Sequence, residues 1–226
     1  MKYLFLSFFI LVMFSCKSQE KKIDNLTIIK YTMEHFDINE YKNLAVDEKY
    51  SPSNKNLFLK NGKERIQIQY YDNVIQLEKT NIDHKYQTVK VYHELNKLLK
   101  INGSRFYSFS IGVWKYYDET GNIIKEINHD LPFKLSIEDL AQQMKEKYNM
   151  DIMNVQKTFL VNRFVDAQTT KLPIYEIYYR DEIKPFVLNC YVINGTTGVV
   201  LFTAIRYDSE EKQGSSYQNY LNSLKK

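Results

Sequence analysis

The chain has 226 residues, with 31 Lys and Arg, 27 Asp and Glu, and a formal net charge of +4. This length is sufficient for one large domain or two small ones, each with its own hydrophobic core. The charge is mild and spread along the chain, so the basic stripe that nucleic acid requires is missing from the sequence. Nineteen Tyr and 13 Phe favour β-strands, where aromatic rings pack across pleated surfaces.

The amino terminus has the pattern of an export signal. One positive charge at Lys2 precedes an almost unbroken apolar run from Leu4 to Phe14. A helix that crosses a bilayer core needs about 20 apolar residues, and this run is shorter. A charged start, a short apolar stretch and a small final residue predict a cleavable signal over residues 1–15. An ordinary secretory signal and an uncleaved short anchor are the alternatives.

The residues Met13-Phe14-Ser15-Cys16 resemble a bacterial lipobox. Ser15 fits the position before the cysteine, whereas Met13 and Phe14 depart from the usual Leu and small residue. The resemblance implies lipidation of Cys16, cleavage before it, and stable membrane anchoring by two or three acyl chains. Lys17 is not the Asp of an inner-membrane retention signal, which favours the outer membrane. We therefore expect a lipid-anchored envelope protein, with the membrane face left open.

The region 26–130 follows a charged tether over residues 16–25 and is expected to be rich in β-structure. A first strand is predicted over 26–31, then a short helix over 35–42 with Asp37 as N-cap and Glu40 completing a capping box. Asn61-Gly62 predicts a two-residue hairpin turn. Beyond it, apolar residues alternate with polar ones, which is typical of a half-buried strand.

An internal repeat relates residues 92–100 to residues 117–125 at an offset of 25. Asn96 and Gly121 hold the same place in the two copies, and both tolerate the positive φ that a tight turn requires. The stretch GVWKYYDETGNIIKE resembles the MORN-like hairpin repeats of the YwqK-type family. The resemblance implies strand–turn–strand units that stack into one sheet.

A helix followed by strands is predicted over residues 131–206. Ser136 and Asp139 frame a capping box, one helical face is apolar, and Asn149 ends the helix. The strands are predicted over 155–165, 171–179, 186–193 and 199–205. The hairpin INGTTGVV resembles the last hairpin of the PepSY unit. This resemblance implies a module that binds or inhibits proteins.

The predicted fold class is α+β. A mostly antiparallel hairpin-repeat sheet over 26–130 precedes a helix-plus-antiparallel-sheet PepSY-like unit over 131–206. A polar tail over 207–226 carries a weak helix around 217–224.

The sequence gives little support for catalysis, a metal or a cofactor. The four histidines form no zinc motif, and nucleotide-binding and nucleophile-elbow patterns do not occur in the sequence. His93-Glu94 and His129-Asp130 are interpreted as solvated turn residues, with a base–carboxylate pair as the alternative. If Cys16 carries lipid, Cys190 has no disulfide partner within the chain, and its strand-like surroundings predict a buried thiol.

One aromatic group is a candidate binding surface. Trp114, Tyr116 and Tyr117 could form a platform for glycan or peptide, and the alternative is a sheet core with one wetter face. Alternation places Trp114 and Tyr116 on one face, and Lys115 beside Tyr117 on the other. We therefore expect the Trp114 side to be the buried one.

The function predicted from these features is a non-enzymatic interaction role. The protein is expected to contact the membrane through lipid on Cys16, and an envelope protein through its sheets. An immunity or antitoxin-like lipoprotein is a second hypothesis, suggested by the YwqK-like repeats. An envelope hydrolase is a third, with almost no support in the sequence.

Overall fold

The computed structural model describes residues 33–50, 53, 55–208 and 214–225. The predicted signal, the lipidation site Cys16, the tether and the strand over 26–31 lie outside the described residues. None of the described helices is long and apolar enough to cross a membrane.

Eight antiparallel strands form the larger sheet, and their spatial order is their order in the chain. They are β1 (Ala45–Val46), β2 (Asn56–Asn61), β3 (Glu64–Tyr71), β4 (Val74–Asn81), β5 (Tyr86–His93), β6 (Leu99–Phe106), β7 (Phe109–Tyr117) and β8 (Ile123–Asn128).

A helix and a smaller antiparallel sheet follow, with the spatial order β12-β11-β10-β9. The elements are α1 (Ile137–Tyr148), β9 (Thr158–Val165), β10 (Pro173–Arg180), β11 (Val187–Asn194), β12 (Val200–Tyr207) and α2 (Ser216–Ser223). The predicted α+β class, with a large hairpin sheet before a helix and a smaller sheet, is confirmed.

The first helix, α1, begins and ends as its sequence predicts. The Ser136 hydroxyl accepts the backbone N–H of Asp139 at 3.0 Å and donates to that carboxylate at 2.7 Å. Asn149 ends the helix in the left-handed region at φ 54°, which asparagine tolerates better than most residues. The residues of α1 that face the core are buried: Ile137, Leu140 and Met144.

The helix predicted over 35–42 is a 3-10 helix, Ile38–Tyr41, with Asp37 as its N-cap. The Asp37 carboxylate accepts the backbone N–H of Asn39 at 2.9 Å. Glu40 does not complete a capping box; its N–H donates to the Asp37 carbonyl. Asn39 is the second residue of this helix, one of the two positions whose N–H an N-cap side chain usually accepts.

Two turns differ from their predicted positions by one residue. The β2–β3 loop is Gly62-Lys63, because Asn61 still pairs with Glu64 in the ladder. In the first repeat copy, Lys97 has the positive φ of 61°, while the Asn96 side chain accepts the N–H of Leu98. Gly121 has positive φ in the second copy, as predicted.

One hydrophobic cluster joins the two sheets through α1. Phe106 and Phe109, at the β6–β7 hairpin, pack with Leu140 of α1 and with Tyr175 and Ile177 of β10. All five are buried. Residues from Met33 onward belong to one compact unit, because this cluster is shared by both sheets.

Candidate protein-interaction surface

Strand β12 forms an outer edge of the small sheet. It pairs with β11 on one side, and no described strand pairs with its other side. Its sequence, VLFTAIRY, is rich in β-branched and aromatic residues and contains one charge, at Arg206. A long edge with few charges is a template for pairing with another chain.

The hydrogen-bonding direction along β12 follows from one contact at its end. The N–H of Asp208 donates to the carbonyl of Phe186 at 2.9 Å, so this pair is hydrogen-bonded across the two chain segments. Hydrogen-bonded and non-hydrogen-bonded pairs alternate in an antiparallel ladder. The N–H groups of Thr203, Ile205 and Tyr207 therefore point away from β11, where an added strand could accept them.

The side chains of the same three residues are exposed and lie on one face of the sheet, since they alternate along the strand. Ile205 is 66% exposed and Tyr207 is 53% exposed. Thr203 lies opposite Tyr191 in β11, and Ile205 lies opposite Asn189. Large exposed apolar groups at an unpaired edge are typical of a protein contact site.

A cavity adjoins this face at the carboxyl end of α1. The ring centroids of Tyr148 and Tyr191 are 5.1 Å apart, and burial raises the pKa of Tyr191. The cavity, of about 320 Å³, continues to Asn189 and to the loop after β10. In that loop, the N–H groups of Lys184 and Ile183 lower the pKa of Asp181.

The residues Tyr148, Tyr191, Thr203, Ile205 and Tyr207 together are called the edge surface below. They combine outward backbone donors, exposed apolar groups and a pair of aromatic rings.

The β8 edge of the large sheet is better protected. It carries Lys125 and Glu126, and Glu126 forms a 3.4 Å ion pair with Lys115 of β7. Charged side chains on an edge strand disfavour pairing with another chain, whereas β12 has no such pair on its exposed face.

The predicted aromatic surface does not form a single exposed platform. Trp114 is 8% exposed, and its Nε1 donates to the Ser104 carbonyl at 3.0 Å. Tyr116 packs in the same cluster as Trp114. Tyr117 packs in a different cluster, around Tyr92 on the opposite face.

Two residues singled out in the sequence, Cys190 and His129, pack against other side chains of the fold. Cys190 is fully buried, as predicted, and burial raises the pKa of its thiol to about 11. Asp130 is a half-exposed turn residue, and its carboxylate pairs with Arg163 at 2.6 Å. The ring of His129 packs edge-on against Trp114. Within the described part of the chain, no three potential metal ligands cluster.

Sequence reasoning missed the edge surface. Its strands were predicted individually, but the sequence does not predict which strand lies at the edge of the sheet. The scarcity of charge in β12 was the available sign, since edges are commonly blunted by charged residues.

Comparisons of the chain with protein-family models, with curated proteins and with solved structures gave no match. The hairpin-repeat and PepSY resemblances therefore depend on the residues quoted for them.

Proposed function

We propose that this protein is a cell-envelope lipoprotein, anchored by lipid on Cys16, that binds a partner protein by strand addition at β12. Its role is binding and not catalysis, and the outer membrane is the favoured location. The outward N–H groups of Thr203, Ile205 and Tyr207, beside exposed apolar side chains, are the observation that carries the proposal.

The partner contributes an extended segment with alternating side chains. In strand addition, main-chain hydrogen bonds supply affinity, and contacts with every second side chain supply specificity. Apolar side chains of the segment would pack beside Ile205 and Tyr207. They would lie on the face of the sheet that also carries the ring pair of Tyr148 and Tyr191.

The charged groups around the edge surface have structural partners, which supports binding over proton transfer. Arg180 donates to Asp208 at 2.8 Å, and Lys157 lies 3.6 Å from Glu182. The Asp181 carboxylate accepts two backbone N–H groups of its own turn. A general acid or base needs a proton that is free to move at the reacting atom.

A proline substitution tests strand addition directly. Thr203→Pro removes an outward N–H without removing a hydrogen bond to β11, and proline is tolerated at such edge positions. A benzophenone amino acid at Tyr207 of the full lipidated chain should give a discrete crosslinked partner in cells. The adduct should persist in Thr203→Ala, which keeps the N–H, and disappear in Thr203→Pro.

Leu95, 98% exposed in the β5–β6 loop, is the control position for the crosslinker. Absence of an adduct at Tyr207, or an equal adduct in Thr203→Pro, would show that β12 is not the binding edge. The anchor is tested separately with a palmitate analogue. Label that persists undiminished in Cys16→Ala would contradict lipidation at that residue.

A further inference from the structure

A polar network crosses one face of the large sheet, away from the edge surface. Glu78 in β4 is 9% exposed and accepts three hydrogen bonds. They come from Gln76 at 2.6 Å, Gln87 at 2.6 Å and Arg105 at 3.0 Å. The donors lie on β4, β5 and β6, so the network extends over three strands.

A second buried carboxylate lies on the same face. Asp47, after β1, is 5% exposed, and its Oδ2 lies 2.7 Å from Nε of Arg65 in β3. The buried Oδ2 accepts no hydrogen bond, and its charge is balanced by Arg65 as an ion pair. The ladder places Arg65 beside Thr80, and Thr80 beside Gln87.

This network need not be more stabilising than apolar packing would be. Buried ion pairs are often no more stabilising than packed apolar residues of similar volume. Apolar packing is found on the same face nearby, where Val89, Val91 and Trp114 form a cluster. The ladder places Val89 directly beside Glu78. The network therefore presents polar groups where apolar packing could be equally stable.

The network borders a cavity of about 360 Å³, near the lower end of the range for small-molecule sites, about 300–1,000 Å³. Tyr50 and Phe58 line it as a stacked pair with centroids 4.9 Å apart. Gln67 and Thr80 also line it, and their side chains form no hydrogen bond with other described residues. The cavity thus combines an aromatic pair with an unused amide and an unused hydroxyl group.

We infer that this cavity binds a neutral mono- or disaccharide. Sugar hydroxyls donate and accept, so they match the Gln67 amide and the Thr80 hydroxyl. The apolar C–H face of a sugar ring suits the Tyr50–Phe58 pair. Each buried carboxylate has its own arginine, Asp47 with Arg65 and Glu78 with Arg105, which disfavours a cationic ligand.

Two neighbouring glutamines provide a matched test. Gln67 lines the cavity, whereas Gln69, on the same strand and face, does not. The probes are glucose, N-acetylglucosamine and maltose, added to the full chain carrying Cys16→Ala in a detergent without a sugar headgroup. Saturation-transfer NMR and calorimetry should detect saturable binding of at least one probe.

Gln67→Leu should weaken that binding about tenfold, the effect of losing one to two hydrogen bonds. Gln69→Leu should leave it unchanged, and Thr80→Val is a second variant that keeps the side-chain shape. The inference is wrong if no probe binds at concentrations up to about 20 mM, or if both glutamine variants bind as wild type does. Tighter binding of glucuronate than of glucose would contradict the assignment to a neutral sugar.

Discussion

Arg163 in β9 and Asp130 after β8 form a 2.6 Å ion pair that joins the small sheet to the end of the large one. The arginine side chain is 4% exposed, whereas the aspartate side chain is 48% exposed. The guanidinium carbon lies 5.0 Å from the ring centroid of Phe109 and 4.5 Å from that of Phe133. The buried charge is therefore enclosed by aromatic rings and has one carboxylate partner.

Asp130→Ala should destabilise the fold by about 3 kcal/mol, because it leaves the buried Arg163 charge without a carboxylate. It also removes the acceptor of the Gly112 N–H. Urea unfolding followed by circular dichroism measures the change in the free energy of unfolding. Arg163→Met should cost less, since it removes the buried charge and leaves a half-exposed aspartate.

Asp83→Ala is the matched control for Asp130→Ala. Asp83 pairs with Lys63 at 2.6 Å, but both side chains are more than half exposed, and exposed pairs contribute about 0–1 kcal/mol. Similar losses for the two aspartate variants would contradict a special role for the Arg163 pair.

Glycine is needed at position 103 because the ring of Trp114 occupies the space that a Cβ would fill. A Cβ at Gly103 would overlap Cδ2 of the Trp114 indole, well inside van der Waals contact. Gly103→Ala should therefore displace the indole and destabilise the fold by about 1–3 kcal/mol. Trp114 is the only tryptophan in the chain, so its fluorescence spectrum reports the displacement.

Gly62→Ala separates this steric effect from backbone strain. Gly62 has a φ of 57° and no atom within 4 Å of an added Cβ. Its replacement should cost about 1 kcal/mol through the left-handed backbone alone, with unchanged tryptophan fluorescence. A normal spectrum in Gly103→Ala would disprove the close packing of Trp114 on Gly103.

Alkaline pH should destabilise the fold. Burial raises the pKa of Tyr41 and of Tyr107 to about 12, and that of Cys190 to about 11. In the unfolded chain these groups ionise near their ordinary values, about 10 for Tyr and 8.5 for Cys. Their contribution to stability is complete below those values and is lost as pH rises through about 11–12.

The urea midpoint should therefore be lower at about pH 11 than at about pH 8. Tyrosinate absorbance should rise in two stages, first for the exposed rings and then together with unfolding. Equal midpoints at the two pH values would show that the buried hydroxyl and thiol groups do not contribute in this way.

Local features were predictable from the sequence because their causes are local. The Ser136 side chain caps α1 by accepting the N–H of a residue only three positions away. Asn149 ends α1 through its own backbone conformation. The Arg163–Asp130 pair joins residues 33 positions apart, and no periodicity or motif relates them. The turn at Lys97 was placed one residue early. The first turn closes through the hydrogen bond from His93 to Leu98 and the second through that from Asp118 to Asn122, so the first encloses one residue more.

Sequence reasoning could not have found parts of the two proposed binding surfaces. Alternation predicts that Gln67 and Glu78 lie on the face opposite to the adjacent apolar residues Ile68 and Leu77 of their own strands. It does not predict that the β3–β4 register makes them neighbours. The unpaired edge of β12 likewise follows from where the sheet ends, which tertiary packing decides.

The strand order of the large sheet has a consequence for how the chain folds. From β2 to β8, successive strands are joined by two to five residues, and each pairs with its neighbours in the chain. The entropy lost in closing such short loops is small, and proteins built from local contacts fold faster than those built from distant ones. A chain delivered amino terminus first can therefore extend this sheet strand by strand, each finding its partner already in place.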